Sequence, residues 1–156
     1  MDVFFSGITE SGIATSLRFS RWSYAFVNGF HILGISILLG SIIPLDLKLL
    51  GAWPKVQRTS LVRVLVPMAA LGLLLAIFTG GLLFSIRADE YAYFKVFQFK
   101  MALVAIGICS SLFVHLRFGL WLERGTQRNL LPAAIISIVC WLSALTAGRM
   151  IAFISG

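Results

Sequence analysis

Only two histidines, His31 and His115, stand in this chain of 156 residues, and each falls inside a long stretch without formal charge. A polar imidazole in such a stretch turns toward other helices or toward a bound group. His31 shares a helical face with Asn28 and Gly34, while His115 lies on a row formed by Gly107, Ser111, His115 and Gly119. Small neighbours leave room beside each ring for a flat macrocycle, and imidazole is a common axial ligand of haem iron. The same pattern is met if each histidine hydrogen-bonds across helices and the glycines serve packing alone.

Lys100 and Arg149 fall in the same half of the membrane as His31. Together they make a cradle for an anionic group such as haem propionates or a lipid phosphate. For Arg149 the alternative is snorkelling to headgroups. At about 1.5 Å rise per residue, His31 and His115 differ in depth by roughly 15 Å, so one haem bridging both within a single copy is not expected. Met101 and Met150 on the His31 side, and Met68 on the His115 side, are the available second ligands, although methionine between helices usually packs. On the opposite face Asp46, Arg63 and Arg117 lie at similar depth. They are expected to form a structural ion-pair cluster, with a proton or cation relay as the other reading. Cys109 and Cys140 lack CxxC spacing and read as small apolar residues. No Gly-rich phosphate loop, zinc-spaced cluster or Ser/His/Asp set can be assembled, which disfavours hydrolytic and nucleotide-dependent enzymes.

The elements that must position these groups follow from charge-free windows at 22–45, 64–86, 101–116 and 129–148. A bilayer-spanning helix needs about 20 apolar residues. Three windows meet this outright, and the third extends past Lys100 and Arg117, whose long stems carry their charges to the interface. The hydrophobic fraction of 59%, the charged fraction of 12% and the mean hydropathy of +0.96 exclude a water-soluble core. The expected fold is all-α, an integral membrane four-helix bundle in a single domain spanning 1–156, with spans at about 22–50, 61–87, 95–122 and 129–154. Residues 1–20, with Phe4, Ile8, Ile13 and Leu17 at roughly helical spacing, predict a short interfacial helix. They lack the pattern of a cleaved signal, so the first span is expected to serve as its own.

The net charge of +7 comes from 13 basic residues that sit mainly in short segments beside the apolar windows. Membrane-surface electrostatics accounts for them and no nucleic-acid partner is expected. Seven basic residues near the one–two and three–four connections oppose six on the other side, an even split. The acidic Glu10, Asp89 and Glu90 cluster on that other side and lean toward both termini being non-cytoplasmic. Trp22, Tyr24, Trp53, Tyr91, Tyr93 and Trp121 near span ends read as an interfacial belt. Gly72, Ala76 and Gly80, with the shorter pairs Ser36–Gly40 and Ala144–Gly148, predict close helix packing. No internal repeat points to a transporter.

Several short pieces recur in an order that carries specificity. They are 22–24 leading into His31-Ile-Leu-Gly34, then Gly40-Ser41, Asp46-Leu-Lys-Leu-Leu-Gly51, Pro67, Thr79-Gly80, residues 97–100, His115, and Gly148-Arg149-Met-Ile-Ala-Phe153. In these the chain resembles a bacterial family of small four-helix membrane proteins known only as a domain of unknown function. That family is distantly similar to copper-resistance-type and b-type cytochrome-like membrane proteins. The resemblance runs from about Leu17 onward and implies a multi-pass protein of the bacterial inner membrane, with His31, Asp46, Lys100, His115 and Arg149 as positions of interest. The leading expectation is a b-type haem protein or electron-transfer subunit, with haem b ligated by His31 or His115 and supported by Arg149, Lys100 and Asn28. The alternatives are a non-catalytic membrane anchor or assembly subunit of a larger complex, and copper handling by His, Met and Cys. A redox partner and a homo-oligomer are compatible with these readings.

Overall fold

Long runs of Leu, Ile, Val, Ala and Phe, with prolines confined to a few positions, leave the backbone no way to satisfy its N–H and C=O groups in lipid except as helix. The computed structural model describes residues 20–86 and 88–154. It is all-helical, 86% helix without strands among the described residues. The elements are α1 (Arg21–Leu49), α2 (Arg58–Ile86), the short α3 (Ala88–Tyr93), α4 (Lys95–Phe118) and α5 (Gln127–Ile154). Four of them, all but α3, are long and apolar enough to cross a bilayer, the pattern of a multi-pass membrane protein. Large apolar side chains such as Trp22, Phe78, Phe113 and Leu116 cover their outer faces, as contact with lipid tails requires. The expected interfacial helix over 1–20 lies outside the described residues, apart from Ser20.

Ser20 starts α1 by accepting a hydrogen bond from the Ser23 N–H at 3.3 Å, a standard N-cap. At the other end Leu50 N–H returns to the Asp46 carbonyl and Gly51 turns the chain at φ 106°, a conformation glycine adopts without penalty. α4 ends at Phe118, four residues short of the expected 122. Gly119 takes φ 88° there and the chain turns back so that Leu122 can enter the core. Leu122 itself sits at φ 56°, costly for a branched residue. It is compensated by near-complete burial among Leu45, Leu49, Val62, Val114, Leu130 and Ala134, and by the Arg58 guanidinium, whose Nη2 donates to the Leu122 carbonyl at 2.9 Å. α2 begins three residues before the expected 61, because Arg58 is drawn into that contact. α3 is an added turn of structure in the second connection.

α1 packs along α2 and also touches α5, and α5 packs along α4. Between α2 and α4 no pair of Cα atoms comes within 8 Å, nor between α1 and α4; α2 and α4 meet through side chains, with the Phe84 ring stacked on Phe97 at 5.3 Å between centroids. The α1–α2 contact is a backbone-to-backbone approach. A Cβ added at Gly72 would lie 2.5 Å from the Leu38 nitrogen, and one at Gly34 would lie 2.7 Å from the Ala76 nitrogen. Without a hydrophobic drive between helices in lipid, such proximity and the dispersion contacts it permits hold the pair together. Replacing Gly72 by Leu is therefore expected to part α1 from α2 and to cost about 3 kcal/mol or more. Gly40→Ala, where an added Cβ meets nothing within 4 Å, should leave the protein as stable as before or slightly more so. Thermal unfolding of both variants in detergent, followed by helical circular dichroism, checks the contrast.

Candidate functional site

The α1–α2 seam delivers His31 to α2. Its Nδ1 lies 3.1 Å from Thr79 Oγ1, and the Thr79 hydroxyl lies 2.6 Å from the Leu75 carbonyl one turn earlier. A hydroxyl has one hydrogen and a carbonyl can only accept. The Thr79 hydrogen is thus committed to Leu75, and the imidazole must donate from Nδ1. Nε2 is left with its lone pair. The ring rests against Gly80, where a Cβ would stand 3.0 Å from His31 Cε1, so any larger residue would displace it.

Lys100 approaches from α4. Its stem lies across Gly148 of α5, whose added Cβ would meet Nζ at 3.3 Å, and its ammonium is close enough to act on the His31 imidazole through space. The side chain is half-buried, and no ion pair involving it occurs among the described residues. An ammonium in that position is a positive charge within a span that no acidic side chain among the described residues matches. The structure therefore brings together two of the cradle groups, His31 and Lys100. Arg149 stays apart: it is exposed, with its guanidinium 5.3 Å from the Phe153 ring. Asn28 is half-buried, three residues before His31 on α1.

His115 occupies the opposite end of the bundle. Fifteen residues of α4 separate it from Lys100, about 22 Å of helix. Its Nδ1 donates to the Leu120 carbonyl at 3.0 Å, closing the end of α4 and again leaving Nε2 as the free acceptor. Gly107, on the same row, does not open space beside this ring. It seats Trp141 of α5, with an added Cβ 3.1 Å from the indole. Met68, Met101 and Met150 are 42%, 47% and 51% exposed and face outward, away from both imidazoles. Copper handling requires a ligand cluster, and among the described residues no three His, Cys, Asp or Glu side chains gather to form one.

The expected ion-pair cluster of Asp46, Arg63 and Arg117 does not form. Arg63 reaches Glu123 instead, at 4.0 Å and on the surface, and Arg117 lies over the Phe118 ring at 5.8 Å. Both guanidiniums stay outside because charge in the apolar interior is costly. Asp46 alone is inside, 6% exposed, with Ser137 beside its carboxyl and Oδ2 without a hydrogen-bond partner. Lys48 turns to the Trp53 carbonyl at 2.7 Å. Thr79, Ser137 and Trp141 were not among the sequence-derived candidates. Threonine, serine and tryptophan are common in spans, and their value appears only when a partner helix aligns with them. The adjacency of Thr79 to Gly80, next to the small-residue row, was the one available signal.

No family model matches the chain, and no curated protein or solved structure matches it either.

Thr79→Val removes the acceptor for a half-buried Nδ1–H while conserving volume, and is expected to destabilise the protein by about 1–3 kcal/mol. Thr79→Ser keeps the hydroxyl and should stay within about 0.5 kcal/mol of the parent. Thermal or denaturant unfolding in micelles measures the difference.

Proposed function

We propose that the protein is a membrane b-type haem protein or electron-transfer subunit, in which His31 binds iron through Nε2 and Lys100 meets the carboxylates of the macrocycle. The observation that carries this reading is the fixed tautomer of His31. Ligating histidines as a rule donate their second ring nitrogen to an acceptor that orients the ring and raises its basicity. The Thr79 hydroxyl, anchored by Leu75, does this for His31.

The donor set suits haem: an oriented imidazole and, close to it, a half-buried ammonium without an ion-pair partner among the described residues. Haem bound there would supply one-electron redox chemistry, with axial ligation and burial setting its potential. Thr79 holds the imidazole plane, Gly80 lets the ring lie against α2, and Gly148 lets the Lys100 stem cross α5 without a clash. The apolar faces of the four spans keep water from the site. His115 is too far along the bundle to complete the same coordination sphere, so His31 is the single histidine ligand within one copy.

Oxidised and dithionite-reduced absorption spectra of detergent-purified protein, expressed with adequate haem, test the proposal. A Soret band with α and β bands sharpening on reduction is expected, lost in His31→Ala and retained in His115→Ala. A flat visible spectrum at full recovery, or a band that survives His31→Ala, would overturn it and favour an anchor or assembly subunit of a larger membrane complex.

A further inference from the structure

We propose that the cavity between α1, α2, α4 and α5, at the His115 end, is a binding site for the oxygenated ring of a quinone-class molecule drawn from the bilayer. The site stands on the cavity alone and does not depend on haem binding at His31. Its volume is about 250 Å³. A cavity of about 150 Å³ suffices for an unsubstituted benzene ring, so this one accommodates a ring with several substituents.

Its walls are largely apolar, with Ile42, Leu73, Ile108 and Val114 among them, while six residues with polar groups, Asp46, Ser110, Ser111, His115, Ser137 and Trp141, line it as well. Two of these are more than nine-tenths buried and hold an atom without a hydrogen-bond partner, Asp46 Oδ2 and Trp141 Nε1. Leaving a buried donor or acceptor unmatched costs about 1–3 kcal/mol each. The indole N–H can only donate, and His115 Nε2, with Nδ1 spent on Leu120, can only accept while neutral.

Three kinds of occupant can be weighed against this pattern. Water would serve the polar atoms but leave the largely apolar walls wetted, at a cost that an apolar ring face avoids. A lipid acyl tail would fill the apolar volume and leave Asp46 and Trp141 unmatched. A flat ring carrying oxygens at opposite edges meets both requirements. A ring carbonyl accepts from Trp141, and a ring hydroxyl donates to Asp46 or His115. The ring faces lie against the aliphatic walls. Because the α2 and α4 backbones stand apart, a hydrophobic tail has only side chains to pass between on its way into lipid. Quinones and quinols exchange ring acceptors for donors as they are reduced, and a site offering the indole donor, the Asp46 and His115 acceptors and serine hydroxyls that do either can hold both forms.

The test uses the full chain in lipid nanodiscs, titrated with a decyl-tailed dimethoxybenzoquinone, with uptake by empty nanodiscs subtracted. Saturable binding is expected, at least about tenfold tighter than that of decylbenzene, which has the tail and ring but no oxygens. Trp141→Phe and Asp46→Leu should each weaken binding about tenfold or more, and Ala69→Phe, which fills the cavity from α2, should remove it. Circular dichroism melts establish that each variant is folded. Trp141→Phe preserves a ring and most of the volume and carries the test if the others fail to fold. Absence of saturable uptake, equal affinity for decylbenzene, or undiminished binding in folded Trp141→Phe and Ala69→Phe would overturn the proposal. The Soret band of the same samples separates the two readings. Quinone uptake without haem leaves this site standing and dismisses the haem proposal, and haem without uptake does the reverse.

Discussion

Close approach of two backbones, α1 against α2 at Gly34 and Gly72, is the constraint on which the rest of the structure depends. The absence of side chains at these positions lets the helices meet at distances that a single methyl would forbid. Helix pairs in lipid gain little from hydrophobic burial, so this contact and the dispersion it allows must set their register. Register then decides which polar groups meet. With α1 and α2 locked, His31 falls opposite Thr79 and Gly80, and its tautomer follows from hydrogen-bond bookkeeping alone.

The same device recurs elsewhere with a different purpose. Gly80 seats the His31 ring, Gly148 seats the Lys100 stem and Gly107 seats the Trp141 indole. In each case a glycine on one helix makes space for a large polar or amphipathic side chain from another. Polar residues inside a membrane protein are expensive unless matched, and bringing them against a bare backbone keeps them away from lipid. The two helix pairs are joined mainly where α1 meets α5. This keeps the α2 and α4 backbones apart and leaves, at the His115 end, the cavity proposed for the quinone ring.

Much of this arrangement was legible in the chain itself. Charge-free windows mark the four long helices, because the bilayer thickness and the need to satisfy every backbone group leave few alternatives. His31 stood out because an imidazole is rare in such windows, and the pairing with Lys100 followed from shared depth. Other features depend on azimuth and on side-chain reach, which spacing does not encode. Arg149 shares a depth with Lys100, yet it points outward to Phe153. Arg63 and Arg117 share a depth with Asp46, yet both turn to the surface, leaving a carboxyl that looked paired alone in a cavity with Trp141. The early end of α4 rests on the left-handed backbone of Leu122, a branched residue that local preferences would not place there.

The most direct test of this account is the protonation pattern of the His31 ring. Nitrogen-15 magnetic resonance of protein labelled only at histidine contains just two imidazoles, which His115→Gln would assign, and the ring of cofactor-free protein in lipid near neutral pH can be read directly. The expected spectrum has a protonated Nδ1 and a bare Nε2 at His31, with Thr79→Val disturbing that pattern. A proton resident on Nε2 would contradict the Thr79 anchor and, with it, the proposed ligand role of His31.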